Sequence, residues 1–253
     1  MSLFAIVLTY NEGRHIHDCI ETLRFADHIL IFDSLSTDDT VHIARNAGAE
    51  VTQRRFDNYA GQRNAALEYV ADKADWVLFV DADERVTPEL SAEIQSVIQT
   101  TKHVGFRIPR HNYIFGKLTK GAGWYPDYQT RLLRVGKTHY DPERQVHELV
   151  ILEGSEGTLI QPFIHFNYDS LSQFHDKQKR YSDYDARILF EQGIRPKPQN
   201  YVLQPIRQFR WRYITLKGYQ DGWHGLRLSL LMAWYELRKY RVLHQLWSQK
   251  NRA

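Results

Sequence analysis

The chain has 253 residues, 43% of them hydrophobic and 25% charged. That is the make-up of a globular chain with room for a core, not of a disordered or fibrous one. Cys19 is the only cysteine, which excludes an internal disulfide and a cysteine-rich metal site and fits a reducing compartment. The net charge of +3 hides an asymmetry. From Arg195 onward 12 Lys/Arg stand against 2 Asp/Glu, a net of +10, and the remaining 21 basic and 28 acidic residues leave −7; such a basic tail usually meets phosphates on nucleic acid, anionic lipid or a phosphorylated glycan.

Taken in order, Phe4 to Thr9 is an apolar run that reads as a first strand; the segment before it lacks the basic region and cleavage site of a signal peptide. His15 to Phe25 has helical spacing, with Ile16, Cys19, Ile20 and Leu23 on one stripe. His28 to Phe32 predicts a second strand, ending in the polar cluster from Asp33 to Thr40 that holds good N-caps for a helix through Val41, Ile43, Ala44 and Ala47, stopped by Gly48. Glu50 to Arg54 predicts a third strand and Tyr59 to Ala71 a helix with Ala65, Ala66, Leu67 and Val70 inward. Trp76 to Val80 is then apolar throughout, as in a strand covered on both faces of a parallel sheet. Strand and helix alternate four times, which predicts an α/β fold with a mostly parallel sheet and helices on both faces.

The fourth strand ends in Asp81-Ala82-Asp83-Glu84. Two carboxylates spaced two apart point to one face of a strand and repel unless a cation lies near them. A divalent metal holding a phosphate-bearing substrate is one explanation. The other is a helix start: Thr87 is a good N-cap, Pro88 suits the first helical position, and acids are favourable there. The residues alone leave both open. The first, second and fourth strands all end in polar residues, at Thr9-Tyr10-Asn11, Asp33-Ser34 and Asp81-Ala82-Asp83. In a parallel sheet these ends converge on one edge, where a nucleotide binds. No G-x-G-x-x-G follows the first strand and no P-loop occurs, which disfavours a dinucleotide fold or P-loop enzyme.

Four segments in this order carry a resemblance: Thr9-Tyr10-Asn11-Glu12, Asp33-Ser34-Leu35-Ser36-Thr37-Asp38, Gln62-Arg63-Asn64, and Asp81-Ala82-Asp83-Glu84. Over roughly residues 3 to 170 the chain resembles a family 2 glycosyltransferase with the GT-A fold. Within that family it is similar to the lipopolysaccharide core glucosyltransferases of Gram-negative bacteria, also in Gly123 to Arg134, in Val146-His147-Glu148 and in Lys177 to Tyr181. The resemblance implies that Thr9 and Tyr10 contact the base, with Asn11 and Glu12 completing that motif. Asp33 or Ser34 would lie against uracil or ribose, although many relatives carry two acids there. Arg63 would approach the nucleotide or its diphosphate, Asp81 the ribose, and Asp83 would bind a divalent metal, Mg2+ or Mn2+. The implied fold is a GT-A domain at 1–170, with 1–100 as the nucleotide-sugar half and 101–170 as the acceptor half.

An inverting transfer needs a base for the acceptor hydroxyl. The segment from Asp141 to Glu148 offers several acids, and the resemblance centres on Glu148, with His147 orienting it or touching the diphosphate; the plain alternative is that both end a strand and pair locally. Asp127 is the second candidate base. Its surroundings, Trp124, Tyr125, Pro126, Tyr128 and Gln129, mix aromatic and polar groups as sugar-binding surfaces do, or form a packed loop. Arg131 and Arg134 either read phosphate on the acceptor or pair with acids. The histidines show no H-E-x-x-H or comparable zinc spacing, and His165 and His175 read as ordinary core or surface residues.

Residues 171–253 form the basic C-terminal region. Phe209 to Tyr213 interleaves aromatics with arginines, and Lys217 to Trp223 makes a glycine-bounded turn. From Trp223 on, Leu226, Leu230, Ala233, Leu237 and Tyr240 repeat at helical spacing, with Arg227, Arg238 and Arg241 off the stripe. That is the composition of an interfacial anchor on anionic lipid, and equally of a helix packed on the catalytic domain. No run of about eighteen apolar residues predicts a membrane span, and nothing resembles a nucleic-acid-binding motif. Together these readings predict transfer of a hexose, as UDP-glucose, to an inner-core sugar of lipopolysaccharide at the cytoplasmic face of the inner membrane. A polyprenyl-linked, capsule or protein acceptor is the enzymatic alternative, and a non-catalytic nucleotide-sugar-binding scaffold the alternative of another class.

Overall fold

The computed structural model describes residues 1–142 and 149–250; the expected base Glu148 and its neighbour His147 lie outside them. The chain divides into two compact units, the first made of Met1–Arg110 and Asp127–His165, the second of His111–Pro126 with the rest of the chain from Phe166. Residue 170, the boundary read from sequence, falls inside the second unit, and residues 111–126 belong with that unit.

The first unit begins with β1 (Leu3–Thr9), α1 (Ile16–Thr22), β2 (His28–Asp33), α2 (Thr40–Asn46), β3 (Glu50–Gln53), α3 (Tyr59–Tyr69) and β4 (Trp76–Asp81). β5 (Glu84–Val86), α4 (Pro88–Thr100) and β6 (Gly105–Ile114) follow; β6 runs on into the second unit. There β7 (Lys117–Leu118) turns back on β6, pairing Tyr113 with Leu118. Returning to the first unit, the chain forms β8 (Asp127–Arg134), β9 (Thr138–Tyr140), β10 (Val150–Leu152), β11 (Glu156–Thr158) and β12 (Phe163–Tyr168), the last of which passes into the second unit at Phe166. The sheet order is β3-β2-β1-β4-β8-β6-β12-β5. β3, β2, β1 and β4 run parallel, and β8 and β6 then enter antiparallel. This mixed α/β sheet with flanking helices is the GT-A arrangement expected from sequence.

The apolar strands are covered on both faces, as their composition requires. In β4, Trp76, Leu78 and Val80 enter one core cluster, with Ile16, Ile20, Leu90 and Ile94 of α1 and α4. Val77 and Phe79 enter the other, with Ala60, Ala66 and Leu67 of α3. Each fully buried large side chain contributes about 1.5–3 kcal/mol. Caps fix the helix starts: the Thr87 hydroxyl accepts from Leu90 N–H at 3.1 Å ahead of Pro88, and Asn58 accepts from Gly61 N–H at 2.8 Å. Gly48, at φ +79°, closes α2 in the left-handed region open to glycine.

The second unit adds α5 (Leu171–Glu191), α6 (Asn200–Arg210), a π-helical turn at Trp211–Thr215, and α7 (Trp223–Lys250). Ile114, Tyr168, Phe174, Leu228 and Tyr235 form its core. The Asp221 carboxylate accepts the backbone N–H groups of Lys120 and Gly121, at 3.0 and 2.7 Å. A Cβ on Gly225 would stand 1.8 Å from Gly218 O, so only glycine permits the start of α7 to approach that turn. The buried face of α7 is Gly225, Leu228, Ser229, Ala233, Tyr235 and Leu243, rotated from the stripe read in the sequence. Leu226, Leu237 and Tyr240 are half-buried and Leu230 is exposed. α7 packs against both α5 and α6, so its covered arc is set by two neighbours and not by one apolar stripe. Among the described residues no helix is long and apolar enough to cross a membrane.

Candidate active site

Because β1, β2 and β4 are parallel and in register, with Thr9 opposite Asp33 and Leu8 opposite Asp81, their polar C-terminal ends meet. The Thr9 hydroxyl donates to Asp33 Oδ1 at 2.8 Å. Asp33 is fully buried and also accepts from Ser36 N–H and from Gln53 Nε2, both at 2.9 Å. Burial pushes its carboxyl up, and the hydrogen bonds from Ser36, Gln53 and Thr9 outweigh that and hold it below the usual aspartate value. The Ser34 hydroxyl accepts from Gln62 Nε2 at 2.8 Å, which ties the end of β2 to α3. The loops after β1 and β2 are knitted together: Asn11 Oδ1 accepts from Thr37 N–H at 2.8 Å, and Glu12 N–H donates to Thr40 Oγ1 at 2.8 Å. Tyr10 projects outward, 59% exposed, and Asn11 sits at φ 57°, a left-handed conformation that asparagine tolerates. An exposed ring beside a fixed carboxylate and several hydroxyls is a surface that can stack a base and hydrogen-bond a ribose.

The two aspartates at the end of β4 have different surroundings. Asp81 accepts from Arg131 Nη2 and lies 3.5 Å from Arg63 Nη2, and its own N–H donates to Glu84 Oε2 at 2.9 Å. Burial raises its carboxyl, but Arg131 and then Arg63 hold it far below the usual range, while Asp81 and Glu84 in turn hold the buried Arg131 charged. The Arg63 guanidinium also lies over the rings of Phe79 and Tyr140, at 5.0 and 5.5 Å. Asp83 instead faces His165, Oδ2 to Nε2 at 3.5 Å, with Asp83 about a quarter exposed. Carboxylate and imidazole are both donors to a divalent ion. Among the described residues no three His, Cys, Asp or Glu converge as a complete metal site; Asp83 and His165 would supply two donors to a divalent ion, whose other ligands would have to come from bound substrate or water. Arg85 pins the turn that presents them, donating to Ala82 O and Glu84 O, each at 2.8 Å.

Arg110 joins this turn to the start of β8. It lies 3.2 Å from Glu84 Oε1 and donates from Nε and Nη2 to Asp127 Oδ2 at 2.9 and 2.7 Å. Gln129 Nε2 donates to Asp127 Oδ1 at 3.0 Å. Both Asp127 oxygens therefore accept hydrogen bonds. Trp124 and Tyr125 belong to the second unit. Trp124 packs edge-on against Tyr168, ring centroids 5.9 Å apart, and its carbonyl accepts from Asn112, while Tyr125 is exposed beside His111. The structure thus joins Thr9 with Asp33, Arg63 and Arg131 with Asp81, and Asp127 with Gln129. His165, Arg110 and Glu84 are site residues that sequence reasoning assigned no part. Glu84 stands inside a recognised motif, but His165 and Arg110 follow no spacing that could have marked them.

The family model for glycosyl transferase family 2 matches residues 4–144. The chain is 28% identical to the lipopolysaccharide core biosynthesis glycosyltransferase LpsC of Rhizobium meliloti (strain 1021), over 92% of this chain and 91% of that one. It is 27% identical to an uncharacterized glycosyltransferase of Rickettsia bellii (strain RML369-C), over 98% and 88%. Among solved structures, S. aureus TarS is similar at 16% identity and a TM-score of 0.49, over 97% of this chain and 55% of that one. With the matched region spanning the whole parallel half of the sheet and the strand ends described above, the chain belongs to glycosyl transferase family 2.

Proposed function

We propose that this protein is a metal-dependent inverting glycosyltransferase that moves glucose from UDP-glucose onto an inner-core sugar of lipopolysaccharide at the cytoplasmic face of the inner membrane. The observation that carries the reading is the split between the two aspartates. Asp81 is held by two arginines, and Asp83 faces a histidine within reach of a shared cation. The lipopolysaccharide acceptor draws support from the similarity to LpsC along nearly the whole chain.

In this mechanism Tyr10 and Thr9 meet the base, with Asn11 and Glu12 shaping the loop. Asp33 or Ser34 lies against uracil or ribose, and Asp81, fixed by Arg63 and Arg131, accepts from a ribose hydroxyl. Asp83 and His165 hold Mg2+ or Mn2+, which when bound neutralises charge developing on the departing diphosphate. Glu148 takes the proton of the acceptor hydroxyl as that oxygen bonds to the anomeric carbon and the bond from that carbon to the diphosphate oxygen breaks, inverting the centre. His147 is assigned either to orienting Glu148 or to the diphosphate. Asp127, held by Arg110 and Gln129, is the second candidate base. Trp124 and Tyr125 are assigned to acceptor contacts.

A thermal-shift screen of UDP-, GDP-, ADP- and CMP-sugars with and without Mn2+ tests donor and metal together. A rise for UDP-glucose that requires Mn2+ is expected, and a rise independent of metal overturns the assignment of Asp83. Asp83→Ala abolishes that shift and transfer alike, and His165→Ala weakens the Mn2+ dependence at least about tenfold. Glu148→Gln keeps the UDP shift while kcat falls about 10²- to 10⁴-fold; normal turnover in that variant moves the base elsewhere.

A further inference from the structure

The second unit leaves apolar residues exposed on α6, the π-helical turn and α7. No residue of α6 is buried. Its half-buried side carries Tyr201, Gln204, Pro205 and Gln208, whereas the side facing out carries Val202, Leu203 and Ile206, the last 58% exposed, with Arg207 and Arg210. The π-helical turn continues that side with Trp211 and Ile214. On α7 the exposed residues Trp223, Arg227, Leu230, Trp234 and Arg241 fall at helical spacing on one line, opposite the buried face. Trp223 is 77% exposed, and Arg241 lies over the Trp234 ring at 5.4 Å. A helix whose outer side is more apolar than its inner one is arranged for a partner other than water.

Charge identifies the partner. Every exposed charged side chain between residues 200 and 250 is basic: Arg207, Arg210, Lys217, Arg227, Arg241 and Lys250. The two acids of that stretch are half-buried and engaged, Asp221 by the amides of Lys120 and Gly121, and Glu236 by Lys239 at 2.8 Å. Tryptophan, isoleucine and leucine flanked by arginines, with no carboxylate among them, match the boundary between acyl chains and anionic headgroups. We infer that this unit docks on an anionic lipid surface through the outward sides of α6, the π-helical turn and the exposed line of α7. The surface differs from the stripe expected from sequence, since Ala233 of that stripe is buried and Trp211, Trp223 and Trp234 take its place. The inference stands on this surface and not on the transfer reaction, so its test needs neither donor nor acceptor.

The full chain is sedimented with vesicles of phosphatidylcholine alone and of phosphatidylcholine mixed with phosphatidylglycerol. Binding to the mixed vesicles that weakens with salt is expected, together with quenching of Trp211, Trp223 and Trp234, but not of Trp76, by lipids brominated on their acyl chains. The pair Ile206→Ser and Trp223→Ser lowers the affinity at least about tenfold, and Arg207→Glu with Arg210→Glu removes the preference for phosphatidylglycerol, at roughly fivefold per arginine. Urea-unfolding midpoints that stay near the wild-type value show that these variants fold. Equal sedimentation of wild type and the Ile206/Trp223 variant overturns the inference. So does a concentration-dependent dimer in analytical ultracentrifugation that this variant abolishes without changing sedimentation, which would make a second copy the occupant.

Discussion

Asp81 and Trp223 stand in opposite circumstances. Asp81, at the end of the central strand, is a partly exposed carboxylate met by two buried arginines, Arg131 and Arg63. Trp223, at the start of the last helix, is a large apolar ring left 77% exposed. The buried arginines and the exposed ring each violate the ordinary partition of polar outside and apolar inside. The first violation is compensated inside the molecule: Arg131 engages Asp81, Arg110 engages Glu84 and Asp127, and hydroxyls and an amide engage Asp33. The second has no internal compensation. Buried charge met by opposite charge marks a candidate site, and apolar surface left in water marks a contact with something else. The two units hold the two kinds of feature separately, one suited to chemistry and one to location.

The comparison can be broken at either end. The largest effect is expected at Arg131. Arg131→Ala leaves Asp81 without its nearest cation and should cost about 3–5 kcal/mol in urea unfolding; an unchanged midpoint would mean that the pair is not the internal compensation described. Asp33→Asn comes next, at about 1–3 kcal/mol near neutral pH. The Asp33 carboxyl is held below its ordinary 3.8, so its contribution is present above that value and is lost as pH falls through the lower folded one. The stability gap between wild type and Asp33→Asn should therefore close on acidification below about pH 4, and a gap that widens there would reverse the sign. The smallest effect sharpens the other side. Trp223→Ser and Ile206→Ser should each stay within about 0.5 kcal/mol of wild type in the same unfolding measurement. A larger loss would show that these residues pack internally, and the outward face would cease to be free surface.

Much of the first unit was legible because its signals are local. Apolar runs bounded by turn residues gave β1, β2 and β4, and Thr87-Pro88 gave the start of α4. The convergence of Thr9, Asp33 and Asp81 followed from parallel order alone. The pairings at the site were not legible in the same way. His165 reaches Asp83 from β12, and Arg110 reaches Glu84 and Asp127 from β6, because antiparallel strands bring distant segments together with a register that no spacing in the sequence encodes. The face of α7 was misjudged for a related reason. Its apolar residues lie on more than one side, and only its neighbours α5 and α6 select which are covered.

By itself the sequence determined the alternation of strand and helix, the polar ends of the parallel strands, the motifs of the family and the charge of the tail, since each rests on residues close together in the chain. Only the tertiary structure decided that Asp81 belongs to arginines and Asp83 to a histidine. It likewise decided that Asp127 is clamped by Arg110, and that the apolar face of the tail lies along α6 and one line of α7. Those outcomes depend on which side chains burial forces into contact, because a charge in a low-dielectric interior must find a partner there and an apolar ring left outside must find one elsewhere.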